Sequence, residues 1–372
     1  MNSTNGSNPF PWYAPRIWHG MCFGEWAKLL ARYGFRVSPS RLGLAATITM
    51  QSVSNSVLAG IQRTLYSRRV TETSLVAPPL FLVGHWRSGT TYLHELLACD
   101  ERFATPTTYQ CFAAPHFLAS EKWAPKLLWF VLPSRRPMDN VRFAWSAPQE
   151  DEFALCSLGI PSPYLKIAFP NEEESYLDFL DLERLSPQQF REWQDCLRHF
   201  LKCVTLSTGK RIALKSPTHT SRIGFLAREY PGAKFLHIAR HPVTVFLSTV
   251  NLWRVLIETN GLQVPRDTDY KEFVLSTLER MYAAYNRQRE TLAPGQLVEI
   301  RYEDLVQDPV GVLRGAYERL DLGDFSTVEP ALRAATRSSS SYRTNEYQLD
   351  ESIRAEIMSR WAGYAARFGY SS

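Results

Sequence analysis

Short apolar runs alternate with stretches of helical period along most of this chain, and the alternation predicts its architecture. Leu80-Phe81-Leu82-Val83 follows the break Ala77-Pro78-Pro79 and stops at Gly84, which predicts a buried strand. Helical spacing resumes over Thr90–Ala98. Ser186, Pro187 and Gln189 form a helix start: a hydroxyl cap, Pro at the first helical position, and Gln three residues after the cap. Phe190, Trp193, Leu197, Phe200, Leu201 and Val204 then share one face, and Gly209 ends the run. Strands at Arg211–Leu214, Lys234–Ala239 and Leu297–Ile300 are separated by helices near Ser221–Tyr230, from Pro242 onward, and at Tyr270–Leu292. Short apolar strands between helices predict an α/β fold, a parallel sheet flanked by helices on both faces. Ahead of the first strand the spacing is helical from Met21 to Arg69, after an irregular arm. The chain thus divides into an N-terminal arm and helical extension, residues 1–75, and an α/β domain with helical insertions, residues 76–372.

Composition adds limits. A net charge of +5 over 372 residues favours an anionic ligand or an acidic membrane surface, without the basic runs of a nucleic-acid binder. The six scattered cysteines include no CxxC pair, which argues against a disulfide framework or zinc site and for a reducing compartment. The N-terminus has no basic segment followed by an apolar run, so no signal peptide is expected. Leu42–Ile61, the most apolar long stretch, is interrupted by Gln51, Ser52, Ser54, Asn55 and Ser56 and is too polar to span a bilayer. The expected location is the cytoplasm, in solution or peripheral to the inner membrane face.

Between a predicted strand and a predicted helix, Gly84-His85-Trp86-Arg87-Ser88-Gly89-Thr90-Thr91 has the glycine spacing of a phosphate-binding loop. Glycines let successive N–H groups turn inward, and the helix start adds positive dipole. Thr90 stands where a triphosphate-binding loop has Lys, while Arg87 supplies a cation three residues earlier. Losing that Lys removes the contact to a β/γ-phosphate and suits a shorter anion. It argues against a P-loop kinase-like phosphotransferase, as do Lys215 and Arg240 at strand ends where a magnesium-binding acid belongs.

Trp86-Arg87-Ser88-Gly89-Thr90-Thr91 after an apolar strand resembles the 5′-phosphosulfate loop of the sulfotransferase superfamily. The strand ending in Arg240-His241-Pro242, with Ser248 eight residues after Arg240, is similar to the family's 3′-phosphate site, although His241 replaces the Asp or Asn often found there. Leu214-Lys215-Ser216-Pro217 resembles the family's strand-end Lys, and Arg301-Tyr302-Glu303-Asp304-Leu305 resembles the Tyr-Glu-Asp element after the last strand. These four ordered motifs cover about residues 78–310 and look closest to the bacterial-type group. The resemblance implies a P-loop-type sheet and transfer of a sulfuryl group from 3′-phosphoadenosine 5′-phosphosulfate (PAPS), without a metal. The acceptor would be a hydroxyl or amine of a lipid-like, phenolic or carbohydrate molecule, with no nucleic acid involved. Arg87, Ser88, Gly89, Thr90 and Thr91 would then hold the 5′ end of the donor, and Arg240 and Ser248 its 3′-phosphate. Tyr302 would neighbour the adenine, and Arg87 and Lys215 would meet the charge that develops in transfer. Arg343, in Ser341-Tyr342-Arg343, is a candidate to close over the 3′-phosphate, with a solvated loop Arg as the alternative reading.

A hydroxyl acceptor needs a general base. Glu150-Asp151-Glu152, just after Pro148 and before the apolar helical run Phe153–Leu158, supplies candidates: Glu150 first, Glu152 second. The helix dipole alone would also place acids there. His219 and His116 are fallbacks. An aromatic stretch, including Phe112, Phe117, Trp123, Trp129, Phe130, Phe143 and Trp145, interleaves with Lys122, Lys126, Arg135 and Arg136. It reads as core, as an acceptor pocket or as a membrane-facing surface. Without a working base, the chain would be a non-catalytic anion- or membrane-binding relative.

Overall fold

The computed structural model describes residues 10–11, 13–137, 143–172, 176–338 and 350–370. Five parallel strands, β1 (Leu80–Val83), β2 (Phe103–Ala104), β3 (Arg211–Lys215), β4 (Lys234–Ala239) and β5 (Leu297–Arg301), lie in the order β2-β3-β1-β4-β5. Every residue of β1 is buried, as a central strand with both faces covered requires. Phe81 and Val83 point into a large core that also takes in the N-terminal helices, while Leu80 and Leu82 point into a smaller core on the other face. The chain leaves β1 toward β2 and β3 on one side and returns to β4 and β5 on the other. The carboxyl ends of β1, β3 and β4 therefore meet at the switch point, where open α/β sheets form their ligand crevice.

The buried side of the helix Leu42–Glu72 mixes Ala45, Ile48 and Val70 with Ser52, Asn55 and Gln62, while Met50, Val53, Val57, Ile61 and Leu65 are exposed. The polar residues that interrupt its apolar run are the ones that fasten it. Asn55 Nδ2 donates to the carbonyls of His19 and Met21 at 2.7 and 2.9 Å, and Gln62 Oε1 accepts from the Leu118 N–H at 2.8 Å. Trp18 and Trp26 are buried in the large core, so the N-terminal segments share that core with the sheet. No described helix is long and apolar enough to cross a membrane.

Among the wholly buried histidines around the sheet are His85, His94 and His237. Burial holds His85 down to about 4 and both His94 and His237 down to about 3, with the Lys215 charge adding to the effect on His94. The unfolded chain takes up these protons near pH 6.5, and the folded chain does so only below about pH 4. Stability is thus full above that upper value and declines as pH falls, by roughly 1.4 kcal/mol per pH unit for each histidine. The melting temperature is expected to drop steeply between about pH 6 and 4. A flat profile across that window in thermal scans would contradict the burial of these rings.

Candidate active site

The loop after β1 is shaped by what lies behind it. The Gly84 N–H donates to Thr220 Oγ1 at 2.7 Å, and a Cβ at position 84 would stand 2.4 Å from the Ile238 carbonyl of β4. Arg87 has φ +67°, a left-handed conformation that a non-glycine residue holds with strain of about 1–3 kcal/mol. Gly89 has φ +104°, and a Cβ there would lie 2.3 Å from the Tyr302 ring. The Ser88 hydroxyl is buried without a hydrogen-bond partner among the described residues.

The loop and the end of β4 form one group. Arg87 Nε donates to Ser248 Oγ at 2.8 Å, and Arg240 donates to the Arg87 carbonyl at 3.3 Å. Ser248 sits two turns into the helix Pro242–Asn260. The Arg240 guanidinium lies 4.2 Å from the centre of the Tyr302 ring, which itself packs on Gly89. Tyr364 clamps the Arg240 backbone, its hydroxyl donating to the carbonyl at 2.8 Å and accepting from the N–H at 2.9 Å. Glu303 accepts from the His241 N–H at 3.1 Å and from the Tyr370 hydroxyl at 2.7 Å. Arg343 lies outside the described residues.

At the end of β3, Lys215 is 2% exposed and its Nζ donates to Glu150 Oε1 at 2.7 Å. The other Glu150 oxygen accepts from the Tyr164 hydroxyl, which in turn accepts from Trp86 Nε1 at 2.8 Å. Burial and the Glu150 charge push the Tyr164 phenol well above its ordinary range, so it stays a proton donor in this chain of contacts. An indole of the loop after β1, a phenol, a carboxylate and a strand-end ammonium are thereby joined in series.

The three successive acids have separate fates. Glu150 stands at the residue before the helix Asp151–Ser157 without a side-chain bond to it, and reaches the cavity. Asp151 accepts from Ser216 Oγ at 2.8 Å and pairs with His219 Nε2 at 2.7 Å. Burial raises its carboxyl, but the His219 ring and the Ser216 hydroxyl outweigh it and hold the group below the usual range. Glu152 does not line the cavity. Its buried oxygens accept from Arg222 Nη1 at 2.7 Å, Nη2 at 3.1 Å and Thr218 Oγ1 at 2.8 Å. The helix turns it into the core, which corrects its reading as the second candidate base. His219 is committed to Asp151. His116 is buried between Ser120 Oγ at 2.9 Å and Asn55 Oδ1 at 3.2 Å and is not among the residues that line the cavity.

A cavity of about 770 Å³ opens over this group. Part of its wall is polar, with Arg87, Gly89, Thr90, Thr91, Arg240 and Glu150, and another part is apolar, with Ile17, Phe112, Phe143, Phe153, Leu252 and Leu256. The sequence profile of the sulfotransferase family matches residues 78–326.

The chain belongs to the sulfotransferase family.

Two proteins named omega-hydroxy-beta-dihydromenaquinone-9 sulfotransferase Stf3, from Mycobacterium bovis and Mycobacterium tuberculosis, are each 43% identical to this sulfotransferase over 359 residues, covering 96% of it and 92% of each relative. The crystal structure of sulfotransferase STF9 from Mycobacterium avium superposes with a TM-score of 0.66 at 20% identity, covering 95% of this chain and 97% of that one. Sulfotransferase STF1 from Mycobacterium tuberculosis H37Rv gives 0.60 at 19% identity, covering 95% and 94%. At these identities the two structures speak to the fold, which is the P-loop-type α/β fold. In this sulfotransferase, sequence reasoning missed Trp86 as a brace, Tyr164, Tyr364 and Arg222. Each acts through a side-chain contact across many residues, and no local pattern signals it.

Proposed function

We propose that this sulfotransferase moves the sulfuryl group of PAPS onto a hydroxyl of an apolar, lipid-like acceptor. The observation that carries the reading is the meeting of Arg87 and Arg240 on the wall of a cavity that Glu150, paired with the strand-end Lys215, also reaches, and whose remaining wall is largely apolar. The donor fits the residues present. Arg87, Gly89, Thr90, Thr91 and Arg240 all line the cavity, and the glycine positions leave room only for backbone at the loop. Arg87 and the loop from Ser88 through Gly89 and Thr90 to Thr91 hold the 5′-phosphate, Arg240 and Ser248 grip the 3′-phosphate, and Tyr302 lies beside the adenine.

Glu150 takes the proton of the acceptor hydroxyl as its oxygen bonds to sulfur. The bond from sulfur to the 5′-phosphate oxygen breaks in line with that attack, and adenosine 3′,5′-bisphosphate leaves. Lys215 and Arg87 meet the charge that builds on the leaving oxygen, supplying what a metal supplies in triphosphate chemistry. Ile17 draws the N-terminal extension, residues 1–75, into the acceptor wall of the catalytic domain, residues 76–372. The two relatives at 43% identity are named for a hydroxylated menaquinone acceptor, and the apolar wall here suits a molecule of that class.

The test is transfer from labelled PAPS to hydroxylated quinones and isoprenoids set against simple phenols and sugars. Transfer confined to sugars would remove the lipid-like acceptor. Adenosine 3′,5′-bisphosphate is expected to raise the melting temperature, and ATP with magnesium is not. Arg240→Ala should weaken the bisphosphate by roughly 10- to 100-fold, as loss of a charged hydrogen bond does. Unchanged affinity in calorimetry would dismiss Arg240 as the 3′-phosphate grip.

A further inference from the structure

The aromatic stretch read from the sequence divides three ways in space. Phe117 and Ala124 are buried in the large core, Phe112 and Phe143 line the cavity, and Trp123, Leu127, Leu128, Trp129 and Phe130 stand in solvent. Trp129 is 75% exposed. A contiguous run of large apolar side chains in water calls for a partner. The outer stripe of the helix Leu42–Glu72 is a second such surface, with Met50 72% exposed. From its inner side that helix packs on the segment leading to the exposed run: buried Gln62 accepts from the Leu118 N–H, five residues before Trp123.

We propose that these surfaces together dock on an anionic lipid bilayer and set the cavity mouth at its headgroup level. The inference rests on the lipid-like acceptor argued above, and it deepens that reading by naming where the acceptor is met. Charge selects a bilayer over a second copy of the chain. From Glu121 to Asp139 the sequence holds the four cations Lys122, Lys126, Arg135 and Arg136 against two acids, one at each end. The helix carries Arg63, Arg68 and Arg69 against the single acid Glu72, which pairs with Arg68 at 2.8 Å. Two copies meeting face to face would bring like charges together, whereas acidic headgroups complement them. Apolar and aromatic side chains flanked by Lys and Arg are the composition of segments that lie in the bilayer interface.

Continuity with the site supports the same partner. Trp145 Nε1 donates to the Leu128 carbonyl at 2.9 Å, tethering the exposed segment, and the chain then runs through Arg136 and Pro137 into the cavity wall. An acceptor held in the membrane would reach the apolar wall from the lipid side without crossing water.

The experiment is sedimentation of the full chain with vesicles of phosphatidylcholine alone or with added phosphatidylglycerol. Binding is expected to the mixed vesicles, weakened by salt. A Trp129→Ser, Phe130→Ser variant and a Lys126→Glu, Arg135→Glu variant should each lose binding by roughly 10-fold or more. Neither pair belongs to the donor grips or the base, so the thermal shift with adenosine 3′,5′-bisphosphate should stay as in the parent, which also shows that both variants fold. Transfer to a detergent-dispersed acceptor should be unchanged, and transfer to the same acceptor embedded in vesicles should fall. Failure of the parent to sediment with phosphatidylglycerol vesicles, while it still sulfates the dispersed acceptor, overturns the docking face and leaves the function standing. Equally, a dimer in light scattering that either variant abolishes, with vesicle binding untouched, would assign the face to a second copy. If vesicles are bound and the variants lose that binding, yet no lipid-like acceptor is sulfated, the face holds and the acceptor reading fails.

Discussion

Glu150→Gln should leave the bisphosphate-induced thermal shift intact and lower the rate of sulfuryl transfer by roughly 10²–10⁴-fold, the range that a positioned general base contributes. The amide keeps the size of the carboxylate, and its oxygen can still accept from Lys215 Nζ, so the buried ammonium keeps a partner. What the amide cannot do is take a proton. Turnover with labelled donor at saturating acceptor is the measurement. A rate within a few-fold of the parent would remove Glu150 from the chemistry and send the search for the base elsewhere in the cavity wall.

Arg222→Met should destabilise the fold by about 3–5 kcal/mol, because it leaves the wholly buried Glu152 carboxylate unpaired. Arg222 also lies 5.3 Å from the centre of the Trp193 ring, a contact that Met only partly replaces. Combining Arg222→Met with Glu152→Gln removes the stranded charge and should recover much of the loss. Urea unfolding of the two single variants and the double variant closes the cycle. A loss below about 1 kcal/mol for Arg222→Met would mean that the pair is solvated in solution. Taken together, the two experiments separate neighbouring acids by kind of damage: position 150 through rate, position 152 through stability.

That separation was not legible in the sequence. Three consecutive acids before an apolar helix are equivalent on paper, yet successive side chains on a helix diverge by about 100°. Which one faces the cavity depends on where the helix begins and on Arg222, distant in the chain. The anion loop, by contrast, was readable because its signal is local. An apolar strand, two spaced glycines and a helix start occupy a dozen residues, and the structure sets them at the end of β1. The strand ends at Lys215 and Arg240 were readable for the same reason. β2 has two residues, too few to show a period. The helix Leu42–Glu72 was expected, but not its orientation, since its inward side mixes polar with apolar residues and its outward side is rich in apolar ones. The helices after β5, including Pro309–Leu320 and Ala362–Arg367, went unread, and with them the Tyr364 clamp on Arg240.

The indole of Trp86 belongs to the loop proposed to hold the donor, yet through Tyr164 it steadies Glu150, the proposed base. On that proposal the two halves of the reaction are not separately adjustable. A substitution that reshapes the loop to take another donor also re-aims the proton acceptor, and turnover would suffer even if the new donor bound well. Phe143 and Leu256 line the cavity outside that series of contacts. Natural drift or laboratory redesign of acceptor range has its freest ground there.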